Sequence, residues 1–258
     1  MKILGIDTSS KRCTTCILED NNVIIELHSD DEKTHSQTLM PLIDKMFKET
    51  NLSLKDIEML ACCVGPGSFT GVRIGISTAK AFADVYNFKT VGISSLEGLA
   101  YNIKDDINLL QNSNTTSINL SLENAKNTSD HTSINNSLII CSLIDAKNEN
   151  VYYGLFDENY NELEELSTCS INELIDKLKK LDKPIAFVGD GATSYNEKLK
   201  NSLTSTNFFE GEKNLASSIS IAKFAYNKYA NGNYNSSLSP MYLRKSQAER
   251  SLEERKDN

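Results

Sequence analysis

Tryptophan is absent from this chain of 258 residues, and histidine occurs only three times, at positions 28, 35 and 131. An H-E-x-x-H zinc site needs two imidazoles one turn apart on a helix, so metalloprotease chemistry has nothing to assemble from. Basic residues are outnumbered, 27 against 35 acids, and the net charge of -8 repels a polyanion. A stand-alone RNA-binding module needs a basic or aromatic surface that this composition does not offer, so another subunit is expected to supply most of any grip on RNA. Arg244, Lys245, Arg250, Arg255 and Lys256 are interleaved with Glu249, Glu253 and Glu254 and read as a solvated tail. No run reaches the roughly 18 apolar residues of a membrane span. The opening MKILGIDTSS has too short an apolar stretch for a signal peptide, so a cytoplasmic, membrane-free protein is expected. The six cysteines sit in apolar, strand-like runs without a disulfide framework and read as reduced and buried. CTTC at 13–16 has no second pair, and on a strand its two thiols point to opposite faces.

What is present alternates between the two regular periods. KILGIDTS, CTTCILED and NNVIIELHS read as three strands of an antiparallel meander, with Asp20, Asn21 and Asn22 as the hairpin turn. In THSQTLMPLIDKMFKET the residues Leu39, Leu42, Ile43, Met46 and Phe47 recur at helical spacing. Thr34 and Gln37 have capping-box spacing, and Pro41 either lies in the first turn of a helix over 38–49 or kinks one starting near Thr34. IEMLACCVG reads as a buried central strand, followed by a helix, the strand TVGIS and the helix SLEGLAYNI. This βββαβαβα order is that of one ribonuclease-H-like lobe, over residues 1–104.

Residues 111–137 hold seven Asn, six Ser and four Thr, too little apolar surface to fold alone, and 105–137 is expected to be a disordered insert. A second lobe is expected over 138–258, resembling a reduced version of the first. It contains two strands around a turn at Asn148–Asn150, a helix capped by Ser170 with Glu173, a strand into the turn GDGA, and a helix stopped by Gly232. The last helix is allowed to pack back on the first lobe.

The sharpest question is the loop CCVGPGSFTGVRIGISTAKAFADV at 62–85. It lacks the Gly-Lys of a Walker A loop, and its third glycine comes one residue late for G-x-G-x-x-G. A generic anion site near Ser68 and Thr70 at the helix start stays open. The other reading places Gly71, Gly75, Ala79 and Ala83 on one helical face, where small side chains admit a second helix. That helix is either the one at 38–49 or one from a second chain.

The blocks GIDTSS, HSQTLMPLID, GPGSFTGVRIGISTAKAFA, SSLEGLA, LIDAKNENVYYGLF, GDGA and PMYLRKSQAE together resemble the bacterial TsaB (YeaZ) family over nearly the whole chain outside the insert. The resemblance implies an α/β fold of the actin-like ATPase superfamily, with two ribonuclease-H-like lobes of mixed sheets flanked by helices. It implies a non-catalytic subunit in threonylcarbamoylation of adenosine beside the tRNA anticodon. That subunit heterodimerises with and activates TsaD, the catalytic paralogue, which transfers the threonylcarbamoyl group that TsaC activates. TsaE joins the pair, a homodimer forms when TsaD is absent, and tRNA is reached through the complex. No cofactor of its own is implied, with ATP or ADP and a metal ion expected at TsaD or at the interface with it. Ser95 and Leu99 stand where TsaD-like proteins carry their two metal histidines, and Lys11 and Arg12 replace that paralogue's Asp-Glu pair. The expected docking residues are Leu39, Leu42, Ile43, Met46, Ser68, Phe69, Thr70, Gly71, Arg73, Gly75 and Ala79. The competing reading is a small ATPase or kinase of the same fold, holding a nucleotide with Asp7, Thr8, Ser9, Gly189 and Gly191.

Overall fold

The computed structural model describes residues 1–29, 34–112 and 138–244. The insert beyond 112, His131 and the tail residues from Lys245 onward lie outside the described residues.

The first lobe starts with the meander β1 (Lys2–Asp7), β2 (Cys13–Glu19) and β3 (Asn22–Ser29). Asp20 and Asn21, both at positive φ, turn the β2–β3 hairpin. Helix α1 (His35–Thr50) leads to β4 (Met59–Cys63), α2 (Phe69–Tyr86), β5 (Lys89–Ile93), α3 (Ser95–Tyr101) and α4 (Lys104–Asn112). The sheet order is β3-β2-β1-β4-β5, with β4 and β5 parallel to β1.

The second lobe contains β6 (Ile139–Asp145), β7 (Asn150–Phe156), β8 (Ser167–Ser170), α5 (Ile171–Lys179), β9 (Ile185–Val188), α6 (Asp190–Ser194), α7 (Asn196–Ser202) and β10 (Thr206–Phe208). Its sheet runs β8-β7-β6-β9-β10, with two antiparallel pairs followed by two parallel ones. The topology repeats the first lobe strand for strand, with β8, β9 and β10 shortened to 4, 4 and 3 residues against 8, 5 and 5 in β3, β4 and β5, so the second copy is reduced in strand length and not in strand number.

Helix α8 (Ser218–Ala230) crosses back and lies on the first sheet. Glycine makes that approach feasible at two points. A Cβ on Gly5 would stand 2.7 Å from the Ser218 carbonyl oxygen, and one on Gly98 would stand 2.6 Å from Ile221 Cδ1. Ile221, Ala222 and Ala225 therefore fill the space between β1 and α3 in a core that also takes Ile140, Tyr152 and Phe156 from the second lobe. A second core lies under α1 and α2, and a third under α5.

Two local expectations are corrected, the Thr34 cap and the start of the insert, while the start of α1 falls on the earlier of the two positions the sequence allows. Helix α1 starts at His35 with Pro41 inside it, and Thr34 makes no side-chain cap, its hydroxyl meeting Ser36 Oγ at 3.0 Å instead of closing a box with Gln37. Residues 105–112, assigned to the insert, belong to α4, because Ile103 and Ile107 are buried in the core and draw the segment into a helix. The Ser170–Glu173 box and the Gly232 stop form as read. Among the described residues no helix is long and apolar enough to cross a membrane.

Candidate functional site

The ends of β1 and β6 and the loops after β4 and β9 open into one cleft between the lobes, of about 810 Å³. Asp7, the last residue of β1, is 2% exposed and accepts the Ser9 N–H into Oδ1 at 2.8 Å. Burial pushes its pKa above the ordinary carboxylate value, only partly offset by that N–H. Asp145, the last residue of β6, makes the same turn with the Lys147 N–H at 2.8 Å and adds the Lys147 ammonium at 2.6 Å. Burial pushes Asp145 up as well, but Lys147 outweighs it and the net shift is downward. Asp190 accepts the Asp145 N–H at 3.1 Å and is raised, chiefly by burial.

The glycine loop packs on the turn after β1. The Thr8 hydroxyl donates to the Gly71 carbonyl at 2.7 Å, and the Ser68 N–H donates to the Ser9 carbonyl at 2.7 Å. A Cβ would stand 2.2 Å from the Ser9 carbonyl oxygen at Gly67, 2.0 Å from the Thr8 carbonyl oxygen at Gly71, and 2.4 Å from Thr8 Oγ1 at Gly75. These glycines let the Thr8–Ser9 turn seat on α2, which answers why the loop is glycine-rich. His35, whose ring N–H donates to the Ser10 carbonyl at 2.7 Å, closes the same junction from α1.

This geometry corrects the docking set. Leu39, Ile43, Met46 and Ala79 are at most 2% exposed, and Gly71 and Gly75 are buried with them, so the chain's own core consumes the small-residue stripe. Ser68, Thr70 and Arg73 are exposed, and Leu42 and Phe69 are half-buried. Phe69, Thr70 and Arg73 border a shallow groove of about 420 Å³ with Ile74, Ser77 and Thr78, three residues the sequence reading did not select. Tyr242 sits against two of its lining residues, stacked on Phe69 at 4.7 Å and receiving a hydrogen bond from Arg73 Nε at 2.6 Å.

The nucleotide set is divided too. Asp7 and Ser9 line the cleft, whereas Thr8 turns away into α2. Gly189, at φ 109°, and Gly191 sit beneath the wall against Leu143, and Asp190, Ser194 and Asn214 present the surface there. Asn214 pins this turn by accepting the Gly189 N–H at 2.8 Å and donating to the Phe209 carbonyl at 2.6 Å. No sequence pattern marks it. Arg12 crosses to the second lobe and forms a two-pronged pair with Glu212. The Ser95 hydroxyl donates to the Pro66 carbonyl, and Leu99 packs in the interlobe core. Among the described residues no three His, Cys, Asp or Glu side chains gather to hold a metal ion.

Two five-stranded sheets of identical order, facing each other across a cleft at the ends of their central strands, place the protein in the actin-like ATPase fold class. The family model described as TsaD, tRNA N6-adenosine threonylcarbamoyltransferase, matches residues 29–111. A Bacillus subtilis tRNA threonylcarbamoyladenosine biosynthesis protein TsaB is 26% identical over 81% of this chain and 79% of its own length. The TsaB of Buchnera aphidicola subsp. Schizaphis graminum is 30% identical over 73% of this chain and 78% of its own. The chain belongs to the TsaB family. A Pseudomonas aeruginosa crystal structure, described as similar to peptidase YeaZ, shares the fold with a TM-score of 0.70, at 18% identity over 94% of this chain and 99% of that one.

Proposed function

We propose that the protein is a non-catalytic subunit in the synthesis of threonylcarbamoyladenosine on tRNA, docking on and activating TsaD, with TsaE joining the pair. A homodimer through the same face forms when TsaD is absent, tRNA is reached through the complex, and the assembly works in the cytoplasm. The observation that carries this reading is the open groove on α2 beside Phe69, Thr70 and Arg73, in a chain of the TsaB family. The long helix α2 is fixed to β1 through Thr8, so its outward face is presented rigidly, as a docking surface requires. ATP or ADP and a metal ion belong, on this reading, to TsaD or to the shared interface. The cleft is lined by Asp7, Asp145 and Asp190 together with Lys11, Arg12, Lys147 and Arg244, of which Arg12 and Lys147 are paired with a carboxylate.

Ser77, exposed in the groove, gives the test. Ser77→Arg is expected to abolish heterodimer formation with TsaD from the same organism while leaving the melting temperature unchanged. Unchanged affinity refutes docking through this face. The second reading, a small ATPase, draws on the size of the cleft and on Asp7 in its wall. It requires ATP turnover by the isolated chain that Asp7→Ala removes.

A further inference from the structure

Residues 235–244 pair with no strand in either sheet's ladder, yet they touch both lobes. Along the β5 edge the Asn235 carbonyl accepts the Gly92 N–H at 3.2 Å, and the Ser236 carbonyl accepts the Thr90 hydroxyl at 2.6 Å. Leu238 is 2% exposed in the core under α1 and α2, and Met241 packs against that core while its N–H donates to the Val64 carbonyl at 2.7 Å. Tyr242 then lies on Phe69 and Arg73 at the start of α2. Leu243 packs against the interlobe core, and Arg244 reaches the second lobe, donating from Nη1 to the Ala146 carbonyl at 2.8 Å.

We infer that this strap couples the interlobe cleft to the face of α2, so that the position of the second lobe sets how tightly Tyr242 holds to Phe69 and Arg73 at the docking groove. The inference rests on the docking reading for its functional consequence. Its mechanical part is shortness of chain. Tyr242 and Arg244 are two residues apart and span at most about 7 Å. Leu238 and Met241 are anchored on the first lobe, so little slack remains upstream. Ala146 follows the last residue of β6 and moves with the second lobe and the cleft wall. A shift of that lobe therefore either breaks the Arg244 bond or draws on Tyr242. Coupling of this kind is reciprocal: a partner that displaces Tyr242 from Phe69 also loosens the cleft.

The experiment uses the full chain. Deuterium exchange is followed in the peptide 66–78, alone, for wild type, Arg244→Ala and Arg244→Lys, and the affinity of each for TsaD of the same organism is measured separately. Arg244→Ala is expected to speed exchange in the first turn of α2 and, because a freed Tyr242 is easier to displace, to tighten the heterodimer by at least about fivefold, the lower end of ordinary coupling between sites. Arg244→Lys, whose ammonium still reaches the carbonyl, is expected to behave as wild type in both. Unchanged exchange in Arg244→Ala overturns the coupling whatever its affinity, because a loss of affinity alone marks direct contact of Arg244 with the partner. If wild type fails to bind TsaD, the docking reading falls, and exchange still decides the strap.

Discussion

Asp7 and Asp145 hold the same place in the two lobes: each ends its central strand, and each accepts the N–H two residues on into Oδ1 at 2.8 Å. The duplicated sheet carries a duplicated turn. What differs is the surroundings, since the Lys147 ammonium stands beside Asp145, while Asp7 is 2% exposed in the cleft wall.

Their effects on stability are therefore of opposite sign. A carboxyl whose folded pKa is raised above 3.8, as for Asp7, lets stability fall as pH rises from the unfolded value through the folded one. Asp7→Asn is expected to gain in melting temperature over wild type as pH rises from 4 to 7. Asp145, held below 3.8, adds stability above that pH and loses it as pH falls through its folded value. Asp145→Asn is expected to melt lower than wild type at pH 7, with the gap closing in acid. Shifts of about 2–4 °C correspond to ~1 kcal/mol in a chain of this size. Melting curves across pH for both variants check the pair of signs.

Gly75 is a packing residue inside the lobe. Gly75→Ala places a Cβ 2.4 Å from Thr8 Oγ1 and is expected to cost about 1–3 kcal/mol despite the better helix propensity of alanine. Removing the obstructing hydroxyl in Thr8→Ala leaves less to clash with. The double variant is expected to be more stable than the sum of the singles by about 0.5–3 kcal/mol, as neighbours in contact are. Urea unfolding of the four proteins measures the cycle.

Leu39 and Ser77 separate core from surface. Leu39→Ala is expected to lose about 2–5 kcal/mol of stability, and the protein that remains folded binds TsaD as wild type does. Ser77→Arg does the reverse. Calorimetric affinity measured beside urea unfolding distinguishes the two.

Strands with continuous apolar runs, such as Met59–Cys63, and helices with a side-chain signal, such as the Ser170–Glu173 box, were legible because their determinants are local. β8, reading STCS, and β10, reading TNF, are too short for any alternation to register and exist because β7 and β9 offer them an edge. The glycine stripe reads as a seat for a helix, and α1 does meet it at Gly71 through His35, but nothing near Gly75 in the chain announces Thr8, which arrives from 67 residues away. Asn214 and Tyr242 carry no sequence signal for the same reason, since their roles lie in long-range geometry rather than in pattern. The chemistry-bearing end of β1 is legible, and the seating of the glycine loop on the Thr8–Ser9 turn beside it is not.

Burial also predicts thiol behaviour. Five of the six cysteines are buried and Cys169 is half-buried. Burial pushes Cys13 and Cys16 up to about 12, so neither offers a thiolate at neutral pH. Ellman's reagent is expected to titrate a single thiol per native chain, at Cys169, and all six in denaturant. Rapid reaction at Cys13 or Cys16 in the native protein contradicts their placement.

The central claim, that this chain acts as TsaD's partner and performs no catalysis itself, is tested most directly by reconstitution. Threonylcarbamoylation of tRNA is measured with TsaC, TsaD and TsaE in the presence and absence of this protein, and with this protein alone given threonine, bicarbonate and ATP. The predicted result is product only when TsaD and this chain are both present, lost with Ser77→Arg and retained with Asp7→Asn. Product formed without this chain, or ATP hydrolysed by this chain alone and lost on Asp7→Ala, would contradict the account and return the cleft to the position of an active site.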